Sequence, residues 1–195
     1  MKKISIILGS TEKDCCDILC NNYVNCLSFN YDVEVITLRD YDIPHCLNCE
    51  MCHAKRDGVC HKNKSEIDEV IKNLIDNDLT IIISPAKFFN FNGLTKLFLD
   101  RTYPHIHNTA FANKKFAFVF VGYTYGVKEI EKYCSYSISG FILDHSIDNI
   151  GVYSYRIDKN KDWKEETMTY NFMNEKDRDD MTMKLIHHIR EILPE

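Results

Sequence analysis

The chain has 195 residues, 45% hydrophobic and 27% charged, enough for one domain with a sizeable core and too apolar for a disordered segment. Its formal net charge is −5, and its lysines are scattered rather than clustered, which argues against nucleic acid as a partner. The longest apolar runs, Ile4 to Leu8 and Phe116 to Val121, are strand length and fall far short of the roughly 20 residues of a membrane span.

The Met1-Lys2-Lys3 start leads straight into a strand pattern with no cleavage site after it, so the expected location is the cytoplasm. Nine cysteines in a reducing compartment are an odd-numbered set and not a disulfide framework. They are expected to be metal ligands, redox groups or small core residues.

In chain order, Ile4 to Leu8 reads as a buried parallel strand ended by Gly9-Ser10. Residues 14 to 29 read as a helix, with Thr11 as its cap and Asp14 favouring its dipole. Val33 to Leu38 is a second strand. The stretch from Arg39 to Asn63 is irregular and carries four cysteines. Ser65 to Asn77 is an amphipathic helix capped by Ser65, with Ile67, Val70, Ile71, Leu74 and Ile75 on one face. Leu79 to Ser84 is a third strand closed by Pro85, followed by a helix from Gly93 to Arg101. A fourth strand lies within Lys114 to Gly122, a helix from Val127 to about Phe141, and a fifth strand near Ile147 to Tyr155. After a polar excursion from Asp158 to Lys176, the last helix covers about 177 to 193.

Strands alternating with helices predict one α/β domain over 1–195, with a cysteine-rich insertion at about 40–63. The sheet is expected to be parallel, doubly wound and five-stranded, with helices on both faces. Ligands of such sheets bind outside the carboxyl ends of the strands, which directs attention to the loops after Leu8, Ser84 and Val121. Asp100-Arg101 at a helix end is expected to serve an ion pair or packing. His105 and His107 are expected at the surface or in a subunit contact. Cys15, Cys16, Cys20, Cys26 and Cys134 are expected as small core residues. No Ser-His-Asp or Cys-His set is identifiable, so no catalytic side chain is assigned.

Ile82-Ile83-Ser84-Pro85-Ala86-Lys87-Phe88-Phe89, with Gly93, Lys96, Asp100 and Arg101 downstream and Ile7-Leu8-Gly9-Ser10 upstream, resembles the NAD(P)H-dependent FMN reductase family. The cysteine run after the second strand is placed as in the iron–sulfur flavoprotein branch of that family. The resemblance covers about residues 3 to 125. It implies a flavodoxin-like three-layer α/β/α fold, FMN at the strand ends, and a homodimer or homotetramer. It also implies electrons supplied by NAD(P)H or a ferredoxin-like carrier.

Carried onto this chain, the resemblance assigns the phosphate to Ser10, Thr11, Lys13 and Asp17, at a helix N-terminus whose N–H groups suit an anion. It assigns the ring to Pro85, Ala86, Lys87, Phe88, Phe89 and Asn90, with Phe91 as a further wall and Gly122 and Tyr123 alongside. The first loop departs from the family: Glu12 stands where Arg is usual, and Glu12, Asp14 and Asp17 would repel a phosphate dianion. FMN binding and a flavin-free relic are therefore both open.

Cys46-x2-Cys49-x2-Cys52-x7-Cys60 has three thiols at three-residue spacing that can curl round one inorganic core, with a fourth to close it. A [4Fe–4S] cluster is the favoured occupant. Zinc, helped by His45, His53 and His61, and four free thiols are the alternatives. The corresponding functions are an FMN-dependent oxidoreductase or electron carrier, a reductase without a cluster, and a non-catalytic binding module with structural zinc.

Overall fold

A computed structural model describes residues 1–106, 108, 110–111, 114–122, 127–134, 148–156 and 175–194. Five parallel strands form the sheet: β1 (Lys3–Leu8), β2 (Asp32–Thr37), β3 (Leu79–Lys87), β5 (Lys115–Gly122) and β6 (Asp148–Arg156). A two-residue β4 (Asn90–Phe91) folds back antiparallel on β3. The sheet order is β2-β1-β3-β5-β6. With β4 set aside, this is the doubly wound, flavodoxin-like order expected from the sequence.

The strands alternate their side chains between two cores. Ile4, Ile6 and Leu8 of β1, Leu79, Ile81 and Ile83 of β3, and Ala117, Val119 and Val121 of β5 face α1 (Cys15–Leu27) and α7 (Glu175–Ile192). Ile7, Ile82, Phe116, Phe118 and Phe120 face α3 (Glu66–Leu74) and α4 (Gly93–Arg101). On β5, Ala117, Val119 and Val121 thus line one face and three phenylalanines the other.

Helix bounds agree closely with the sequence reading at α3 and α4. The last helix begins two residues earlier than read, at Glu175. Of the helix expected over Val127 to Phe141, Val127–Tyr133 is observed as α6, and its continuation lies outside the described residues, as does most of the polar excursion. Two short helices were not anticipated, α2 (Met51–Lys55) and α5 (Tyr103–Ile106).

Two boundaries differ for physical reasons. Thr11 does not cap α1. Asp14 does: its Oδ1 accepts from Cys16 N at 2.8 Å, and Asp17 Oδ2 accepts from Asp14 N at 3.0 Å, which completes a capping box. Nor does Pro85 end β3, which runs on to Lys87. β1 pairs with β3 only as far as Leu8 opposite Ile83, so beyond that point no ladder remains on the β1 side for Pro85 to interrupt. Among the described residues no helix is long and apolar enough to cross a membrane.

Candidate functional site

The loops after β1 and β3 meet at the carboxyl edge of the sheet, where the chain switches direction. Gly9 is fixed there by close approach: a Cβ on it would stand 1.9 Å from Thr95 Oγ1, near the start of α4. Gly9 N donates to Ile83 O at 2.8 Å, and Gly9 O accepts from Asn92 Nδ2 at 2.6 Å. Asn92 also caps α4 by accepting from Thr95 N at 3.1 Å. The first loop is therefore pinned to both β3 and α4.

Ser10 is buried and Thr11, Glu12 and Lys13 are exposed. The sequence reading missed the main cation here, Arg39, in the single 3-10 turn (Leu38–Asp40) after β2. Its Nη2 donates to Asp17 Oδ1 at 2.6 Å and its Nη1 to Ser10 Oγ at 2.9 Å and Glu12 O at 3.4 Å. Burial opposes ionisation of Asp17. The Arg39 hydrogen bond, the Asp14 N–H and the Arg39 charge outweigh it and hold its carboxyl below the ordinary value. Asp14 behaves oppositely: its carboxyl is raised, chiefly by burial and further by Asp17, against the Cys16 bonds and Lys87. Lys87, although exposed, therefore lies within electrostatic reach of Asp14 at the mouth of α1.

Pairing of β1 with β2 explains the Arg39 contact. Leu8 lies opposite Thr37, and two residues beyond each strand come Ser10 and Arg39. The parallel register is the signal that would have found it.

In the second loop, Lys87 pairs with Asn90 across a two-residue turn made by Phe88 and Phe89. Both have positive φ, 47° and 62°. Such turns favour Asn-Gly, and bulky residues adopt this backbone only with strain. The turn holds the two rings edge to face at 6.1 Å, with Phe88 97% exposed. Phe91 is not a wall of this site. It points into the core against Phe118, Phe120 and Tyr133. Pro85 is buried, Ala86 and Asn90 are partly buried, and Gly122 lies against Ala86. Tyr123 lies outside the described residues.

The cysteine loop curls through left-handed residues at Asn48, Glu50 and Arg56, which bracket α2. Cys46 and Cys49 are exposed, and Cys52 and Cys60 partly buried. All four line one recess, closed on the other side by Arg101, Tyr103 and Pro104. Burial, joined by the neighbouring Cys46 and Cys49, raises the Cys52 thiol. Gly58 makes the turn before Cys60 with φ +75°. A Cβ there would also strike Asn108 Nδ2 at 2.5 Å.

Arg101 holds an ion pair, as expected, but a buried one: its Nη2 meets both Asp68 oxygens at 2.5 and 2.6 Å. Its Nη1 donates to Cys60 Sγ at 3.2 Å. His61 has both ring nitrogens engaged, Nδ1 with Lys55 and Nε2 with Asp57. His105 is not a surface residue. It is buried in α5 with its ring against Phe111 and its Nδ1 without a hydrogen-bond partner among the described residues, and burial lowers its basicity. Cys15, Cys16, Cys20 and Cys134 are core residues, and Cys26 packs at the core's edge. His107 lies outside the described residues.

Residues 2–134 match the NADPH-dependent FMN reductase family. The chain belongs to that family. Over 72 residues it is 32% identical to an iron–sulfur flavoprotein of Archaeoglobus fulgidus, a match covering 37% of this chain and 34% of that protein. The chain thus spans about a third of the length of the curated relatives it matches. Its fold is similar to an NADH:FMN oxidoreductase in the apo form, with TM-score 0.63, 15% identity, and coverage of 100% of this chain and 92% of that one. It is also similar to an FMN-dependent NADH-azoreductase from Bacillus anthracis in complex with FMN, with TM-score 0.61, 13% identity and full coverage of both chains.

Proposed function

We propose that this family member is an FMN-dependent oxidoreductase or electron-transfer flavoprotein that also carries a [4Fe–4S] cluster on Cys46, Cys49, Cys52 and Cys60. The observation that carries the reading is the gathering of these four thiols round one recess. Their sequence spacing, three thiols at three-residue intervals and a fourth beyond, suits a cluster better than zinc, whose sites more often use two separated Cys-x2-Cys knuckles.

The residues at the strand ends suit FMN. The three acidic groups that would repel a phosphate are not equally opposed to it. Asp17 is paired with Arg39, Asp14 is turned to the Cys16 N–H as the helix cap, and Glu12 is exposed. Arg39 would take the place of the missing Arg at position 12, and with Ser10, Thr11 and Lys13 it would hold the phosphate. Pro85 to Asn90, with Gly122 and Tyr123, would surround the ring. Lys87 would favour negative charge at the ring's polar edge.

FMN, when bound, would supply the exchange between hydride and single-electron transfer, and a cluster held by the four cysteines would supply single-electron chemistry. The donor is NAD(P)H or a ferredoxin-like carrier. Exposed Phe88 and Phe89, in ring contact with each other, offer an apolar surface that a second copy would cover in a homodimer or homotetramer. A cytoplasmic location is in keeping with nine free thiols.

The visible spectrum of anaerobically prepared protein tests the reading. Flavin bands over a broad iron–sulfur shoulder are expected. Flavin bands alone would remove the cluster, and a colourless protein that holds zinc would replace the redox function with a structural one.

A further inference from the structure

Arg101 is an unusual partner for a cysteine. Its side chain is 2% exposed, and it sits at the end of α4 with Asp68 of α3 as its counter-ion. Asp68 takes up Nε and Nη2, at 3.1 and 2.5 Å. That fork fixes the guanidinium plane and leaves Nη1 aimed at Cys60 Sγ, 3.2 Å away. Asp68 is itself anchored, since its Oδ2 accepts from Ser65 N at 3.0 Å in the capping box of α3. A chain of directed bonds therefore runs from the start of α3 through Asp68 and Arg101 to one sulfur of the cysteine loop. A bare ion pair needs no such aim: a lysine would satisfy Asp68, but it has no planar fork to turn a third N–H elsewhere.

Among the described residues, Cys46, Cys49 and Cys52 have no comparable donor from the body of the protein. Cys46 Sγ accepts only from the local Asn48 N, at 3.4 Å. Among the described residues, Cys60 is the one ligand of the proposed set that a buried cation ties to the helix layer.

We propose that Arg101 is a positioning residue that orients Cys60 and raises the reduction potential of the cluster. This rests on the cluster reading above. When the cluster takes one electron from a low-potential donor, negative charge on its sulfurs increases and no covalent bond is made or broken. A fixed N–H and a buried positive charge at one ligand sulfur favour the reduced form. Asp68 offsets part of that charge, so its removal should act in the opposite direction to removal of the arginine fork.

The test uses the full chain, reconstituted anaerobically with iron and sulfide. Arg101→Lys keeps a cation for Asp68 and loses the aimed N–H. Asp68→Asn keeps the guanidinium and removes its counter-charge. Iron content, circular dichroism and a dithionite titration followed by absorbance and electron paramagnetic resonance are measured for each. Arg101→Lys should keep wild-type iron and shift the oxidised-to-reduced ratio about tenfold toward oxidised at the wild-type midpoint, about 59 mV for one electron. Asp68→Asn should shift it toward reduced. Wild-type iron with unchanged potentials in both variants would overturn the role of Arg101 and leave the cluster standing. If Arg101→Lys holds no iron, Asp68→Asn decides: a potential at or below wild type, or loss of iron there too, makes Arg101 merely structural and overturns the proposal. No iron uptake by the wild type would fail the cluster reading itself.

Discussion

Arg39→Met is the sharpest probe of whether the first loop accepts the FMN phosphate. In the structure the guanidinium donates to Ser10 Oγ at 2.9 Å and Asp17 Oδ1 at 2.6 Å, and its side chain is only 19% exposed. A charge-assisted hydrogen bond in such a setting contributes about 1.5–3 kcal/mol. Partial exposure places this one toward the lower end. Loss of the contact to phosphate, with Asp17 left uncompensated beside it, should weaken FMN by roughly 10- to 30-fold. The assay is fluorescence titration of apoprotein with FMN and, in parallel, riboflavin, which has the same ring and no phosphate. Riboflavin affinity should hardly change. Equal weakening of both ligands would mean that Arg39 only braces the loop, and unchanged FMN affinity would mean that the phosphate lies elsewhere.

Four further outcomes follow from the same geometry. Glu12→Arg should tighten FMN by on the order of 1 kcal/mol, through charge reversal near a helix N-terminus, and an unchanged titration would contradict the phosphate placement. Gly9→Ala should destabilise the fold by about 1–3 kcal/mol in urea, because its Cβ meets Thr95 Oγ1, and Thr95→Ala should restore part of the loss. Asp17 has a depressed pKa, so its ion pair stabilises the fold above the unfolded value of about 3.9 and fades as pH falls through the lower folded value. The stability gap between wild type and Asp17→Asn should be full at pH 7 and shrink below about pH 4 in denaturation curves; a gap independent of pH would refute the assignment. Replacing Phe88-Phe89 by Asn-Gly should relieve the positive-φ turn and stabilise the monomer by about 1–2 kcal/mol, while sedimentation shows self-association lost. An unchanged oligomer would remove these rings from the interface.

Much of the fold was legible because strand and helix periodicity are local. Ile4 to Leu8 and Leu79 to Ser84 are buried on both faces and read as unbroken apolar runs. The α3 start was legible from Ser65 and the acidic residue three positions on. The same signal misled at α1, where Thr11 with Asp14 and Asp14 with Asp17 offer identical spacing. The second pair prevails because the buried Cys15-Cys16 step follows it directly. Phe91 was misplaced because a two-residue β4 reverses the chain after Phe89 and turns the third ring inward, and a two-residue strand has no period to read.

What escaped the sequence was the pairing of charges. Arg39 with Asp17 spans 22 positions and Arg101 with Asp68 spans 33. The first follows from strand register, with Leu8 opposite Thr37, which the expectation of a parallel sheet did not specify. The second depends on how α3 and α4 pack, which no local pattern carries. His105 was misjudged for the opposite reason: a polar type beside Pro104 suggests a loop, yet α5 carries it beneath Gly58 and against Phe111.

The most direct test of the central claim is iron and acid-labile sulfide analysis after anaerobic reconstitution, on wild type and on Cys49→Ser. The account predicts about four irons and four sulfides per chain in the wild type and their loss in the variant, with FMN retained by both. A wild type that takes up no iron, or a variant that keeps the full complement, would contradict it.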